Sequence, residues 1–274
     1  MSTRNAVAVT VVGVCLSGLT AFAAGADGVR CLQVVGDVEV RESATGAYRP
    51  AAKDEQYDYG TSFRTGRNSS AVLELSPDNV FRLLARTELT LRRGIIHRRL
   101  IRLQLETGQV DAELNRLPEH TDFQVETPVG VCGAVGTVYT VAFDPVTAEA
   151  GDVMEMASHI TVTCERGEVH YEGNGVDTEI PADCGLELRL LPGRASQVLW
   201  IRVFGNPLVV RIGDAQMTIS PNTSIVAATT GPEFTAVQVQ QGEIEVGSET
   251  LRSEDEAVFV SGWTVVRDGD PAGF

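Results

Sequence analysis

Cysteine is the residue type in this sequence with the widest chemistry, and it occurs five times. Cys15 falls in an apolar N-terminal run, which leaves Cys31, Cys132, Cys164 and Cys184. Four cysteines in an exported chain are compatible with two disulfides, in any of three connectivities. Cys164 and Cys184 flank one predicted pair of strands, so a disulfide between them is the first choice. A zinc site is disfavoured, because no C-x-x-C pair and no histidine at ligand spacing accompanies these cysteines.

Cys132 could also be drawn as a catalytic nucleophile, because glycines surround it in GVCGAVGT. A catalytic thiol needs a neighbouring base, and no base is identifiable beside it. The histidines are His97, His120, His159 and His170, and none lies in H-E-x-x-H or beside a glycine-flanked serine. The glycine-rich run joins strand to strand, so no helix N-terminus follows it to bind a phosphate. We therefore predict that Cys132 is buried and structural.

Carboxylates could supply acid–base or calcium chemistry. A possible acid pair among Asp78, Asp111 and Glu113 is explained more simply by solvent-facing strand and turn positions. A calcium site would need the spacing of an EF-hand loop, which the later acidic stretch does not have. That stretch contains Asp144, Glu149 and Asp152. The sequence thus predicts no enzyme, no cofactor and no metal site.

The N-terminus has the layout of a secretory signal peptide. One positive charge, Arg4, precedes an apolar run from Ala6 that ends in the A-x-A site Ala21-Phe22-Ala23. Cleavage is expected after Ala23, with Ala24 as the second choice, so residues 1–23 form the signal peptide. An uncleaved membrane anchor is the alternative, because the run is near the lower length limit for a spanning helix. The sequence therefore predicts export to the periplasm or cell envelope of a bacterium.

The formal net charge is −15, which disfavours nucleic acid and anionic lipid as partners. The basic run at residues 86–102 is a local exception, and we interpret it as the solvent face of two strands. A membrane contact is expected only if the N-terminal apolar segment stays uncleaved. The predicted partner is an unidentified envelope protein.

Strands must position these side chains, because helix signals are almost absent after the signal peptide. Short β-branched or apolar runs bounded by Gly, Pro, Asn or Asp recur along the chain, and the alternation in VQVQQGEIEV indicates one buried and one wet face. The sequence predicts an all-β fold, an antiparallel β-sandwich or a short β-roll. The predicted strands include residues 71–75, 101–105, 138–143, 160–164 and 236–239.

One unit recurs, made of a strand, a glycine, a polar residue and an apolar alternation. It holds Gly36, Gly108, Gly167 and Gly242, and each glycine is expected to supply a positive φ at a tight turn. A second element, an apolar alternation followed by a threonine, precedes two of these units, in NVFRLLARTELTL and AQMTISPNTSIVA. Residues 196–274 therefore look like a shortened, partial repeat of the preceding part. We predict a β domain at 27–195 and a C-terminal β segment at 196–274 that packs on it.

The segment FQVETPVGVCGAVGTVYTVAF at residues 123–143 alternates at both ends and is nearly all small in the middle. Proline lacks a ladder donor, so a strand is expected to end at Thr127-Pro128. The glycines and Ala134 are expected to let the backbone pass close to another backbone. The segment resembles the signature of the FecR-domain family, in which T-P leads through small residues to V-R-G-T and a strand. The matching positions are Thr127, Pro128, Gly133, Ala134, Gly136 and Thr137.

The resemblance covers roughly residues 30–190, because the T-G-x-x-S segment upstream, the turn after it and the flanking strands also match the family and occur in its order. Val135 stands where the family has arginine, and Cys132 where a small apolar residue is usual. FecR-type regulators carry an N-terminal part that acts on a sigma factor. This sequence begins instead with the predicted signal peptide, so sigma regulation is not carried over.

The resemblance implies an exported, non-enzymatic protein-interaction or sensory module of the envelope. The alternative is a structural or carbohydrate-binding surface protein. Sugar sites usually show exposed aromatic platforms, whereas Trp200 and Trp263 lie in apolar alternations and are predicted to be core residues. The aromatic pattern therefore favours a protein partner.

Overall fold

A computed structural model describes residues 28–93, 99–115, 117, 119, 121–134, 136–145, 157–191, 197–231, 233–260 and, as backbone, 263–267. The predicted signal peptide lies outside the described residues. None of the described residues is helical, so no helix there could cross a membrane. The all-β prediction is confirmed.

Twenty-five strands are described. They are β1 (Gly28–Val35), β2 (Val38–Arg41), β3 (Arg49–Pro50), β4 (Gln56–Asp58), β5 (Ser62–Thr65), β6 (Ser70–Ser76), β7 (Asn79–Leu83), β8 (Glu88–Arg93), β9 (Arg99–Leu114), β10 (Thr121–Thr127), β11 (Gly130–Ala134), β12 (Val138–Asp144), β13 (Ser158–Arg166), β14 (Glu168–Gly173), β15 (Val176–Pro181), β16 (Cys184–Leu191), β17 (Gln197–Phe204), β18 (Leu208–Ile212), β19 (Ala215–Ile219), β20 (Ser224–Gly231), β21 (Phe234–Gln241), β22 (Glu243–Val246), β23 (Glu249–Arg252), β24 (Glu256–Val260) and β25 (Trp263–Arg267).

The strands form two sheets that share β9. Sheet 1 runs in the order β4, β1, β6, β7, β9, β12, β13, β16, β17, β20, β21, β24, β25. Sheet 2 runs in the order β3, β2, β5, β8, β9, β10, β11, β14, β15, β18, β19, β22, β23. The pairing of β9 with β10 is parallel, and the other pairings in these two strand orders are antiparallel.

The chain passes from one sheet to the other and back, usually after two strands. We call each such passage a level, and successive levels lie side by side along the two sheets. Strand β9 makes one such passage without a break, pairing with β8 before Gly108 and with β7 and β12 after it. Alternate residues of each strand point between the sheets, as with Tyr139, Val141 and Phe143 of β12. These inward side chains form one continuous hydrophobic core.

The recurring glycines lie at the corners where the chain leaves one sheet for the other. Their φ angles are positive, as predicted, at +71° for Gly36, +95° for Gly108, +87° for Gly167 and +87° for Gly242. The strands on either side of each corner do not pair with each other, so the corners are not hairpin turns. Gly205, with φ +90°, occupies a fifth such corner, between β17 and β18. The interval between Gly167 and Gly242 therefore spans two levels.

A hydroxyl side chain on the adjacent corner closes most of these levels. Thr87 Oγ1 accepts a hydrogen bond from the Gln109 amide at 3.0 Å and donates to the Gln109 carbonyl at 3.1 Å. Thr223 makes the same two bonds to Glu243, at 3.1 and 3.2 Å. In each case the bonded residue follows the corner glycine, and the threonine follows a residue with positive φ. We call this arrangement the corner clamp. Its side chains are buried, and the hydroxyl members are Ser69, Thr87, Thr137 and Thr223.

Both sheets run through the predicted boundary at 195/196. Sheet 1 continues from β16 to β17, and sheet 2 from β15 to β18. Inward residues on both sides of the boundary belong to the same core. The division into a domain at 27–195 and a C-terminal segment stays a prediction, and the sheets and the core are continuous across it.

Candidate functional site

The signature segment begins with a tight turn that its threonine closes. Thr127 is the last residue of β10, and Gly130 is its partner at the start of β11. Thr127 Oγ1 accepts from the Gly130 amide at 3.1 Å and donates to the Gly130 carbonyl at 3.0 Å. Pro128 stands just outside the strand, where its missing N–H costs no ladder bond. The predicted strand end at Thr127-Pro128 is confirmed.

The turn is held from the next hairpin. Tyr171 Oη donates to the Val129 carbonyl at 3.1 Å, and Asn174 Nδ2 donates to the same oxygen at 2.6 Å. The Tyr171 ring lies against Gly130 so closely that an added Cβ would stand 2.5 Å from Tyr171 Oη. Gly130 therefore shows the close packing that the sequence predicts for the small residues.

Gly133 departs from that prediction, because an added Cβ there would meet no atom within 4 Å. It forms the floor of a shallow depression on the outer face of sheet 2. Polar side chains surround it, and His170 Nδ1 lies 2.9 Å from Glu179 Oε1. Three carboxylates and one imidazole line the depression. Its lining includes Asp122, Gln124, Glu168, His170 and Glu179.

Gly136 and Thr137 form one half of a corner clamp. Gly136 has φ +65°, and Thr137 Oγ1 donates to the Glu168 carbonyl at 3.1 Å, next to Gly167. The G-T of the signature thus repeats the device found at Thr87 and at Thr223. Its role is structural, while the neighbouring Val135 lies outside the described residues.

Cys132 is completely buried between the two sheets. Burial raises the pKa of its thiol far above the ordinary value, so the reactive thiolate is not formed at neutral pH. Tyr139 and Tyr171 lie near it, and burial raises the pKa of both phenols as well. No base faces Cys132 in the described part of the chain, and a nucleophilic role therefore has no support.

Cys164 and Cys184 are brought face to face, as their sequence positions suggested. They are directly opposed partners in the ladder of β13 and β16. Both are buried, and their thiols are unbonded to each other. In contrast, Cys31 faces Leu73, and Cys132 faces Val125 and Tyr171, so neither of them faces a cysteine across a ladder.

The remaining candidate residues do not converge on one site. Asp111 accepts from Gln109 Nε2 at 2.8 Å and from Thr140 Oγ1 at 3.0 Å, on the outer face of sheet 1. His159 Nε2 lies 3.0 Å from Glu187 Oε1 on the same face. Within the described ranges, no three His, Cys, Asp or Glu side chains are grouped to hold a metal ion. His97, His120, Glu149 and Asp152 lie outside the described residues.

Residues 61–170 match the family model described as FecR protein. The chain contains a FecR domain. The match includes every signature position named from the sequence, from Thr127 to Thr137, and it confirms the family resemblance. The C-terminal levels from β15 onward lie beyond the matched residues of the FecR domain.

Two solved structures are similar to this chain. Both are crystal structures of a candidate anti-sigma factor from Parabacteroides distasonis ATCC 8503, at 1.65 and 2.50 Å resolution. They match at 16% and 15% identity with TM-scores of 0.38 and 0.39. Each match covers 53% of this chain and 59% of the solved chain, so the chain spans about three fifths of the length of these proteins. No curated protein matches the chain.

Beyond the FecR match, the outer face of sheet 1 carries apolar side chains where a wet face would be polar. Leu191, Val198, Ala228, Ala236 and Val258 form one row across five neighbouring strands. We call this row and its apolar neighbours the apolar face. The neighbours are Trp200, Val226, Phe234 and Val260, and the last two face each other and are 39% and 43% exposed.

The prediction that Trp200 lies in the core is wrong. Leu199 and Ile201 are the fully buried residues of β17, so the alternation turns Trp200 outward. It is half-buried there, and the Arg189 guanidinium lies 4.7 Å from its ring centroid. The side chain of Trp263, also predicted as core, lies outside the described residues. The sequence analysis missed the apolar face because β17 carries apolar residues on both of its faces. On the outward face of β17, only Arg202 is polar.

Proposed function

We propose that this protein is an exported, non-enzymatic FecR-domain module that binds another protein of the bacterial cell envelope. The observation that carries the proposal is the apolar face. Contiguous apolar surface on a soluble protein marks an interaction site, whereas scattered apolar residues do not. In this chain the apolar residues occupy aligned positions on β16, β17, β20, β21 and β24, so they form one surface.

The chemistry of the apolar face favours a protein as its occupant. Its row is aliphatic, from Leu191 to Val258, and suits the flat packing of another apolar protein surface. The net charge of −15 disfavours anionic lipid and nucleic acid as occupants. Arg189 and Glu256 flank the row on adjacent outward positions, as a polar rim would.

Carbohydrate binding is the second candidate, and the outward position of Trp200 is the observation in its favour. Sugars stack on exposed aromatic rings. Arg189 already lies over the Trp200 ring, and the rest of the row is aliphatic. A protein partner is therefore the better supported occupant.

The test compares capture by three forms of the tagged full-length chain, expressed in a bacterial host and cross-linked in the envelope. The forms are the wild type, Val258→Glu in the apolar face and Thr218→Glu on the outer face of sheet 2. A charge at Val258 should remove the specific partner, because an unpaired carboxylate would be buried in the interface. Thr218→Glu should leave capture unchanged, and circular dichroism should show that both variants fold.

A partner protein that the wild type and Thr218→Glu retain, and Val258→Glu loses at least tenfold, would support the proposal. If no retained protein depends on Val258, the apolar face is not the binding site and the proposal fails. Retention of polysaccharide alone, lost in Trp200→Ala, would establish the carbohydrate candidate instead. A concentration-dependent dimer abolished by Val258→Glu would identify the occupant as a second copy of this chain and would overturn the envelope partner.

Export has its own test. Mass spectrometry of the N-terminus of envelope-fraction protein should find a chain that begins at Ala24, after cleavage at Ala23. An intact N-terminus in the membrane fraction would show an uncleaved anchor. Recovery of the whole chain from the cytoplasm would overturn export.

A further inference from the structure

The opposed cysteines of β13 and β16 have a backbone arrangement that permits a bond. Cys164 and Cys184 are direct partners in an antiparallel ladder. Such partners have Cα atoms about 4.5–5.5 Å apart, and disulfides span Cα separations of about 4.4–6.8 Å. The two side chains also share one face of the sheet, because both point into the core and are 2% and 3% exposed.

Cys184 also breaks a pattern that the chain itself repeats. It follows Asp183, which has φ +60°, and it faces the corner of Gly205, so it holds the clamp position of its level. Its Sγ lies 3.9 Å from the Asn206 carbonyl, the residue after the glycine. The other four clamp positions hold serine or threonine, whose hydroxyl bonds are about 3 Å long. A thiol is a weak donor and acceptor, so the clamp alone does not explain a cysteine there.

Cys164 likewise gains little from its surroundings as a free thiol. Its Sγ lies 3.5 Å from the Arg166 carbonyl. Burial raises the pKa of this thiol, and the hydrogen bond to the Arg166 carbonyl offsets only part of that effect. The better explanation for a cysteine at both places is the other cysteine.

We propose that Cys164 and Cys184 form a disulfide in the mature protein. The proposal rests on the exported location in the proposed function, because disulfides persist in oxidising compartments. The oxidant is a dithiol–disulfide exchange partner or a small-molecule disulfide. Both thiols lose their protons, one S–S bond forms between Cys164 and Cys184, and the two electrons reduce the oxidant disulfide to two thiols.

The disulfide would join the FecR domain to the levels beyond it. Cys164 lies inside the matched residues 61–170, and Cys184 lies beyond them. The bond would therefore add a covalent link between the FecR domain and β16, the strand that carries Leu191 of the apolar face. Because both sulfurs are buried, we expect the bond to form as the chain folds and to resist reduction in the folded protein.

The test uses purified full-length chain, unfolded and then refolded in oxidised or in reduced glutathione. Free thiols are alkylated under denaturing conditions, and intact mass and peptide mapping follow. Refolding in oxidised glutathione should give a chain with the Cys164 and Cys184 peptides linked and with both residues unalkylated. The bond itself lowers the mass by about 2 Da, the two hydrogens removed.

Cys164→Ser and Cys184→Thr are the variants. Cys184→Thr restores the clamp residue of the other levels, so it should fold as well as the wild type and lack the linked peptide. Quantitative alkylation of both cysteines after oxidation, or a link to Cys31 or Cys132, would overturn the proposal. The assay needs neither export nor a partner, so its failure is distinguishable from failure of the proposed function.

Discussion

Replacing Thr223 by valine removes the hydroxyl of one corner clamp and keeps the shape of the side chain. Two hydrogen bonds to Glu243 disappear, at 3.1 and 3.2 Å. Each is worth about 0.5–1.5 kcal/mol, and a stranded buried amide or carbonyl costs about 1–3 kcal/mol. The partners are only partly buried, so we expect the free energy of unfolding to fall by about 2–3 kcal/mol. With a urea slope of about 1–3 kcal/mol/M, the midpoint should drop by about 0.7–3 M.

Urea unfolding followed by circular dichroism checks this value against two further variants. Thr223→Ser keeps the hydroxyl and should cost about 1 kcal/mol or less, the value of the lost methyl group. Thr218→Val makes the same exchange on the outer face of sheet 2 and should stay within about 0.5 kcal/mol of the wild type. If Thr223→Val has the urea midpoint of the wild type, or if Thr223→Ser lowers the free energy of unfolding as much as Thr223→Val, the clamp does not stabilise the corner.

Three further predictions concern the signature segment and the buried groups. Gly130→Ala should destabilise the fold by about 1–3 kcal/mol, because the added Cβ would press on the Tyr171 ring. Gly133→Ala should stay within about 0.5 kcal/mol of the wild type, because its Cβ would meet no atom. Urea midpoints of the two variants that are equal, or that fall in the reverse order, would contradict this. Burial and a hydrogen bond to a carboxylate raise the pKa of Tyr57 from 10 to about 12, so its contribution to stability is complete below pH 10 and is lost as the pH rises to about 12. Tyr57→Phe should therefore flatten the decline in melting temperature between pH 10 and 12, and an unchanged decline would refute this assignment. Iodoacetamide should leave Cys132 unmodified in the folded protein and modify it in urea, as peptide mapping would show; rapid native labelling would contradict its burial.

The sequence was sufficient for the strands and for the glycine corners, because both depend on local chemistry. Alternation of apolar and polar residues gives a strand, and glycine adopts the positive φ of these corners without the strain that a Cβ brings. The same patterns could not say that the strands on either side of Gly167 belong to different sheets. That outcome depends on pairings such as β13 with β16, which join residues distant in the sequence.

The candidate sites divide along the same line. The turn at Thr127 and Pro128 and the opposition of Cys164 to Cys184 could be approached from neighbouring residues. The apolar face could not, because its members come from five strands and become a surface only when these align. Gly133 was misjudged for the opposite reason. Its type suggested crowding, and only the fold reveals open space above it.

Because the corner clamps act within single levels, the number of levels in such a protein can change. Most levels are closed by their own corner glycine and hydroxyl clamp, so a further level needs another corner pair and two strands with inward-facing side chains. Such an addition leaves the existing core untouched. A repeat protein grows in the same nearest-neighbour way. The levels past residue 170 are such an extension, and they lengthen sheet 1 by the strands that carry the apolar face. A lineage could therefore gain or lose a binding surface by changing the number of levels, while the FecR domain at the other end of the stack stays intact.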